Sequence, residues 1–108
     1  MELKDHLLKG NLSMLLLKLF NEKPMYGFEV AQELEERTES YLKIKEGSLY
    51  PTLRTLENKG LVKSWWRDGA SGHKRRYYKL TAAGKKDLTT RVEEWKSFAK
   101  AIGKVVGK

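Results

Sequence analysis

Leu8, Leu12, Leu15, Leu16 and Leu19 recur at spacings of three and four, which predicts one apolar face on a helix over residues 4–20. Gly10 weakens the early part of that helix by up to about 1 kcal/mol relative to alanine. The segment Asn21–Pro24 ends it. A second helix is predicted over 27–37, with Val30, Ala31 and Leu34 turned inward. Its other face carries Glu29, Glu33, Glu35 and Glu36, read as a solvated acidic face rather than a metal site. A third helix is predicted from about Ser48 to Lys59, with Leu49, Leu53 and Leu56 inward and Gly60 as its stop. With Ser48 as N-cap, Pro51 falls at the third helical position, where a missing N–H costs nothing. A start at Glu46 would lose one hydrogen bond.

The period then changes. Leu61–Arg67 and His73–Leu80 are rich in β-formers and flank the turn-forming run Asp68-Gly69-Ala70-Ser71-Gly72, so they predict a hairpin. Trp65 and Trp66 are adjacent on a strand and must point to opposite faces, one of them toward the core. Thr81 is a natural N-cap for a last helix. Along it Leu88, Val92, Trp95, Ala99, Ile102 and Val106 are spaced 4, 3, 4, 3 and 4, the alternation of a coiled-coil seam. Gly103 and Gly107 predict a fraying end.

Composition narrows the function classes. The 108 residues suffice for one domain, and cysteine is absent, which excludes disulfides, thiolate metal sites and a cysteine nucleophile. His6 and His73 stand far apart without flanking ligand spacing, so no histidine zinc site is expected, and no cofactor is called for. The apolar run Leu12–Phe20 is interrupted by Lys18, preceded by Glu2 and Asp5, and too short to span a bilayer. The expectation is a cytoplasmic protein with no membrane partner. Charge is unevenly placed: residues 1–45 hold 7 basic against 8 acidic side chains, 46–80 hold 8 against 3, and 81–108 hold 7 against 3. The positive excess therefore begins at Glu46, and it points to a polyanionic partner.

Three helices, a basic hairpin and a further helix describe a mostly α (α+β) fold, a winged helix-turn-helix with an N-terminal helix and a long C-terminal helix. Residues 1–80 form the expected DNA-binding domain and 81–108 the expected dimerisation helix. In helix-turn-helix proteins the motif's second helix enters the major groove. With its leucines inward, the third helix turns Ser48, Tyr50, Pro51, Arg54, Thr55 and Asn58 outward, while Thr52 lies nearer the core. Arg forks onto guanine, Asn onto adenine, and hydroxyls reach phosphates. His73, Lys74, Arg75 and Arg76 at the hairpin turn suit backbone or minor-groove contact. The reading is a sequence-specific binder of double-stranded DNA. A protein–protein adaptor of the same shape is the rival, disfavoured by Arg54, Asn58 and the basic hairpin. No catalytic constellation or phosphate-binding loop stands out, and no enzyme is expected.

The stretches Tyr26-Gly27-Phe28-Glu29-Val30, Gly47 through Val62, and Arg75-Arg76-Tyr77-Tyr78-Lys79-Leu80-Thr81-Ala82-Ala83-Gly84 resemble the PadR family of transcriptional regulators, in particular its compact second subfamily. The resemblance implies a homodimeric repressor, often released from DNA by a small molecule. It implies that Tyr50 hydrogen-bonds a phosphate and that the C-terminal helix packs against the partner's first helix. It further implies an apolar pore at that interface for planar aromatic effectors, lined by an aromatic that Trp95 matches. Phe98, Leu8, Leu12 and Leu15 would line the same space. Trp95 has two readings, a ligand-stacking ring or a filler of the dimer core.

Overall fold

The computed structural model describes residues 3–107, so the outermost residues of the two expected units, 1, 2 and 108, lie outside it. The chain runs α1 (Leu3–Phe20), β1 (Met25–Tyr26), α2 (Gly27–Arg37), α3 (Glu46–Asn58), β2 (Val62–Asp68), β3 (Lys74–Leu80) and α4 (Ala82–Val106). The antiparallel sheet has the order β1-β3-β2. This is the expected winged arrangement of helices and hairpin.

α1 is buried more widely than a single leucine face allows. Leu16 and Leu17 are both fully closed off, and Leu12, Leu19 and Phe20 join them. The second half of α1 packs against several elements at once, with Lys18 on its solvent side: Val30 and Leu34 of α2, Leu49, Leu53 and Leu56 of α3, Val62 and Tyr78 of the hairpin and Leu88 of α4 belong to the same cluster. Each such leucine contributes about 1.5–3 kcal/mol by burial. Leu8 and Leu15 are only half-buried.

Two elements differ from the sequence expectation. Met25–Tyr26, adjoining the break after α1, forms a short strand paired with Tyr77 and Tyr78. Met25 is buried there, so a residue pair too short to show periodicity is fixed by tertiary packing. The N-cap of α3 lies three residues earlier than expected, at Lys45 rather than Ser48, and the N–H groups of Ser48 and Leu49 both donate to the Lys45 carbonyl at 2.9 Å. Pro51 consequently lies inside the helix and one backbone bond is forgone. Leu49, Leu53 and Leu56 still turn inward, and their burial outweighs one missing bond of about 1 kcal/mol.

Short polar clamps fix the junctions. Arg37 of α2 donates from Nη1 to Glu22 Oε2 at 2.8 Å and from Nε to Glu33 Oε2 at 2.7 Å, while its Nη2 meets the other Glu22 oxygen. The hydrogen bond from Arg37 holds the Glu22 carboxyl below its ordinary range. The Glu29 carboxylate accepts the Tyr26 N–H at 3.3 Å, at the start of α2. At the far end, the Gly107 N–H caps α4 through the Gly103 carbonyl at 2.9 Å, with Gly107 at φ 86°. The helix therefore runs to Val106 and ends in a left-handed glycine cap.

The seat of α4 is the tightest contact of the fold. Thr81 Oγ1 accepts the Gly84 N–H at 3.0 Å and donates to the Gly60 carbonyl at 2.6 Å, and the Thr81 N–H donates to the Leu61 carbonyl at 3.1 Å. A Cβ at Gly84 would stand 2.1 Å from the Leu61 carbonyl oxygen and 2.6 Å from Leu80 Cδ1. Backbone cannot yield as a side-chain tip can. Gly84→Ala gains about 1 kcal/mol of helix propensity but forces α4 off its seat. We expect a net loss of about 2–3 kcal/mol, read as a fall in Tm of roughly 10 °C or more in calorimetry at fixed protein concentration. An unchanged Tm would refute the close approach.

Candidate nucleic-acid interface

α3 is held by its leucines so that the opposite arc faces solvent. Ser48, Tyr50, Pro51, Arg54, Thr55 and Asn58 are all exposed. Thr52 is half-buried and donates to the Ser48 carbonyl at 2.8 Å, a self-satisfied hydroxyl. Tyr50 lies over the first turn of α2. A Cβ on Gly27 would come within 2.9 Å of its ring and hydroxyl, so the missing side chain at Gly27 is what lets the phenol rest there. The sequence reading did not assign Gly27 this part. A glycine at the first position of a helix, where chain entropy disfavours it, was the available signal.

The hairpin places its basic residues differently from the expectation of a basic turn. The turn proper is Gly69–His73, closed by the Gly69 N–H on the His73 carbonyl at 2.6 Å and the Gly72 N–H on the Gly69 carbonyl at 3.0 Å. His73 belongs to it, but Lys74, Arg75 and Arg76 lie in β3, opposite Asp68, Arg67 and Trp66. Strand alternation therefore divides them between two faces. Lys74 and Arg76 share the face that looks toward α3. Arg75 lies on the other, its guanidinium 4.5 Å from the centre of the Tyr26 ring.

Arg76 is bound into the protein. Its Nε donates to Ser64 Oγ at 2.9 Å and its Nη2 to Glu57 Oε1 at 3.3 Å, while Ser64 Oγ donates to Glu57 Oε2 at 2.6 Å. This triad ties the hairpin to the last turn of α3. Its members are partly solvated, so it contributes on the order of 1 kcal/mol or less and sets direction more than stability. Tyr78 lies beside it, and burial pushes its phenol above the ordinary range.

Neither tryptophan of β2 enters the core, contrary to the one-in, one-out expectation. Val62 and Tyr78 supply the hairpin's buried side chains instead. Trp65 is half-buried and stacks on Tyr77 at 6.1 Å between ring centres, with Tyr26 edge-on to Tyr77 at 5.4 Å and Arg67 over Tyr77 at 4.8 Å. That aromatic ladder covers the outer face of the hairpin. Trp66 is 61% exposed on the inner face.

The first turn of α2, the outer arc of α3 and the inner face of the hairpin enclose a groove of about 550 Å³. Tyr50, Arg54, Lys74 and Arg76 line it together with Glu57, so two segments contribute to one cleft, whereas Ser48, Pro51, Thr55, Asn58 and His73 lie outside it. Arg75 reaches its edge.

The seam residues of α4 divide. Leu88 is buried in the chain's own core and Val92 half-buried, whereas Trp95, Ala99, Ile102 and Val106 are exposed. Trp95 meets Leu8 and Leu15 around a cavity of about 210 Å³ and Phe98 around another of about 260 Å³. Leu12, 3% exposed and part of the core, lines neither but borders a third cavity of about 200 Å³ together with Leu8. Among the described residues no cluster of His, Asp or Glu could hold a metal ion, and no helix is long and apolar enough to cross a membrane.

Comparison with known proteins agrees with this geometry. The chain is 35% identical over 99 residues to an uncharacterized protein of Lysinibacillus sphaericus, covering 92% of this chain and 91% of that one. A transcriptional regulator from Clostridium thermocellum superposes with a TM-score of 0.85 at 30% identity, covering 92% of this chain and 96% of its own. A PadR family transcriptional regulator from Eggerthella lenta gives a TM-score of 0.83 at 32% identity over 94% and 86% of the two chains. Residues 16–90 match the transcriptional regulator PadR-like family, a span from the core of α1 through the seat of α4. The chain belongs to the PadR family, and is a DNA-binding transcriptional regulator rather than an enzyme.

Proposed function

We propose that this regulator binds double-stranded DNA sequence-specifically as a cytoplasmic homodimer and represses transcription until a small planar aromatic effector releases it. Residues 1–80 form the DNA-binding unit in this reading and 81–108 the dimerisation helix. One observation carries the DNA part: Tyr50 and Arg54 of the outward arc of α3 and Lys74 of the wing line the same cleft. α3 enters the major groove, where Arg54 and Asn58 read base edges, and Ser48, Tyr50 and Thr55 meet the flanking backbone. Pro51 stiffens the exposed arc between them. His73 and Lys74 carry the wing onto phosphates.

The positions of the two basic side chains rank their contributions. Arg76 is engaged by Glu57 and Ser64, so Lys74, with no ion pair among the described residues, is the stronger phosphate donor. Duplex affinity should fall linearly with salt on logarithmic axes, and Lys74→Ala should lower that slope by about one. Arg54→Ala should cost about 1–3 kcal/mol on a preferred site selected from a random pool and relax the preference at one base pair. Fluorescence anisotropy titrations at several salt concentrations read both. A salt-independent wild type would overturn the interface.

Dimerisation rests on the apolar stripe that α4 carries past the core. Trp95 is 47% exposed, Phe98 65%, Ile102 45% and Val106 70%, on a helix that extends a fold whose longest dimension is 53 Å. Leu3 and Leu7 expose a second stripe on α1. Such patches on a small domain call for a partner, and the family resemblance supplies it as α4 against the first helix of a second copy. Ile102→Asp should therefore give a folded monomer by sedimentation equilibrium, while a persistent dimer would move the interface elsewhere.

The effector reading centres on Trp95. The cavity of about 210 Å³ that Trp95 shares with Leu8 and Leu15 is smaller than the roughly 300–1,000 Å³ of small-molecule sites, so a second copy has to complete it. Stacking on the Trp95 indole favours flat aromatic compounds. In a variant retaining only this tryptophan, through Trp65→Phe and Trp66→Phe, a planar aromatic dye should quench its emission saturably without DNA. Absence of quenching would leave Trp95 as a filler of the dimer core.

A further inference from the structure

Exposed aromatic side chains are costly to leave in water, and most of those here have an account. Trp95 and Phe98 belong to the α4 stripe, and Tyr41 is covered by the Lys4 ammonium, 4.6 Å from its ring centre. Phe28, at 63% exposure, has none, and Trp66, at 61%, has only a guanidinium beside its ring. Both line the groove that holds Tyr50, Arg54 and Lys74. They come from different elements, the first turn of α2 and the inner face of β2, so neither sequence proximity nor strand pairing explains their meeting.

Trp66 is also oriented. The Arg76 guanidinium lies 5.7 Å from its ring centre, and that guanidinium is itself fixed by Ser64 and Glu57. A cation on the ring favours one placement of the indole through the quadrupole of its π-system. The triad thus does two things. It angles the hairpin toward α3, and it presents a large flat apolar surface at the rim of a cationic cleft.

We propose that Trp66, with Phe28 lining the same groove, forms an apolar contact to the deoxyribose rings of one strand of a bound DNA duplex. The inference rests on the DNA interface proposed above. Its chemical basis is the alternation of the sugar–phosphate backbone, in which each anionic phosphate is followed by a sugar with an apolar face. Cations alone match half of that repeat. A lining of Arg54 and Lys74 interleaved with Trp66 and Phe28 matches both halves, and a duplex with its bases paired offers sugars rather than base faces along its outer edge. Arg76, already neutralised by Glu57, acts as a positioning residue for Trp66 rather than as a phosphate ligand.

Salt dependence separates this contact from every charged one. A phosphate contact releases counterions and contributes to the salt slope, whereas an apolar contact to sugar releases none. Trp66→Ala should lower affinity for a random-sequence duplex roughly fivefold or more, by the same factor at each salt concentration and with the slope unchanged. Trp66→Phe should keep most of the affinity, and Lys74→Ala should change the slope. With Trp65→Phe and Trp95→Phe, the remaining Trp66 emission should become shielded from acrylamide when duplex is added. Trp66 is exposed, so Trp66→Ala should leave the Tm of the free protein unaltered, which removes misfolding as an explanation. Equal affinity of Trp66→Ala and wild type would overturn the proposal, as would a slope reduced by about one or a loss confined to single-stranded oligothymidine. Should the wild type fail to bind duplex at all, the interface itself falls and takes this contact with it. Wild-type binding with an indifferent Trp66 removes the contact alone.

Discussion

Leu16 and Leu17 are neighbours in sequence, point to different sides of α1, and are both sealed from solvent. That double burial needs partners over a wide arc of the second half of α1, with a strip at Lys18 left open to solvent. α2, α3, the hairpin and the start of α4 each contribute side chains to the same cluster. None of those elements has enough apolar surface to be stable alone. α2 presents mainly Val30 and Leu34, and the hairpin mainly Val62 and Tyr78. Each is held because α1 offers it a face, and each turns its remaining side outward as a consequence. The surfaces proposed to meet DNA are these remaining sides. The outer arc of α3 is what its three leucines leave over, and the aromatic inner rim of the hairpin is what Tyr78 and Val62 leave over.

Burial fixes positions well and angles less well. The hairpin reaches beyond the core, so its direction depends on weaker contacts. The Glu57–Ser64–Arg76 triad supplies one set of these on the α3 side, and the Tyr26–Tyr77–Trp65 ladder supplies another on the outer side. Both are solvated and individually modest, on the order of 1 kcal/mol. A wing held in this way has a preferred angle that weak contacts would let it change at little expense on a proposed duplex. The seat of α4 is the opposite case. Thr81 and Gly84 meet the backbone of Gly60 and Leu61 at distances that tolerate no extra carbon, so the direction of α4 is inherited rigidly from the α3–β2 turn. A dimer built on α4 would therefore fix the separation of two recognition helices, while each wing keeps local freedom.

Much of this was legible in the sequence because hydrophobic period reports which side of an element is buried. The inward leucines of α3 determined its outward arc, and misplacing the N-cap by three residues changed nothing there, since the period does not depend on where the first turn begins. The errors fall where period carries no information. Met25–Tyr26 is too short to show one, yet it is a strand because β3 and the core accept it. Adjacent Trp65 and Trp66 obey alternation, but alternation does not say that either face is dry. The run Lys74–Arg76 looks like one basic patch in sequence, and pairing with β2 divides it between two faces. Gly27 and Gly84 stood in plain view as glycines, while the reason for each is a side chain or carbonyl distant in sequence.

The α4 seam shows the same limit from the other direction. Its spacing runs unbroken from Leu88 to Val106, so the sequence presents one apolar stripe with one apparent purpose. In the folded chain the stripe changes role along its length. Leu88 and Val92 pack on the chain's own core, and from Trp95 onward the side chains are open to solvent. A helix of 25 residues is about 37 Å long, which exceeds what this small core can cover. Period identifies an apolar face but not its owner. Only the dimensions of the core decide where a helix stops serving its own chain and becomes a surface for another. The boundary falls between Val92 and Trp95, and the outer turns of α4 are the part of the helix that the chain's own core leaves uncovered.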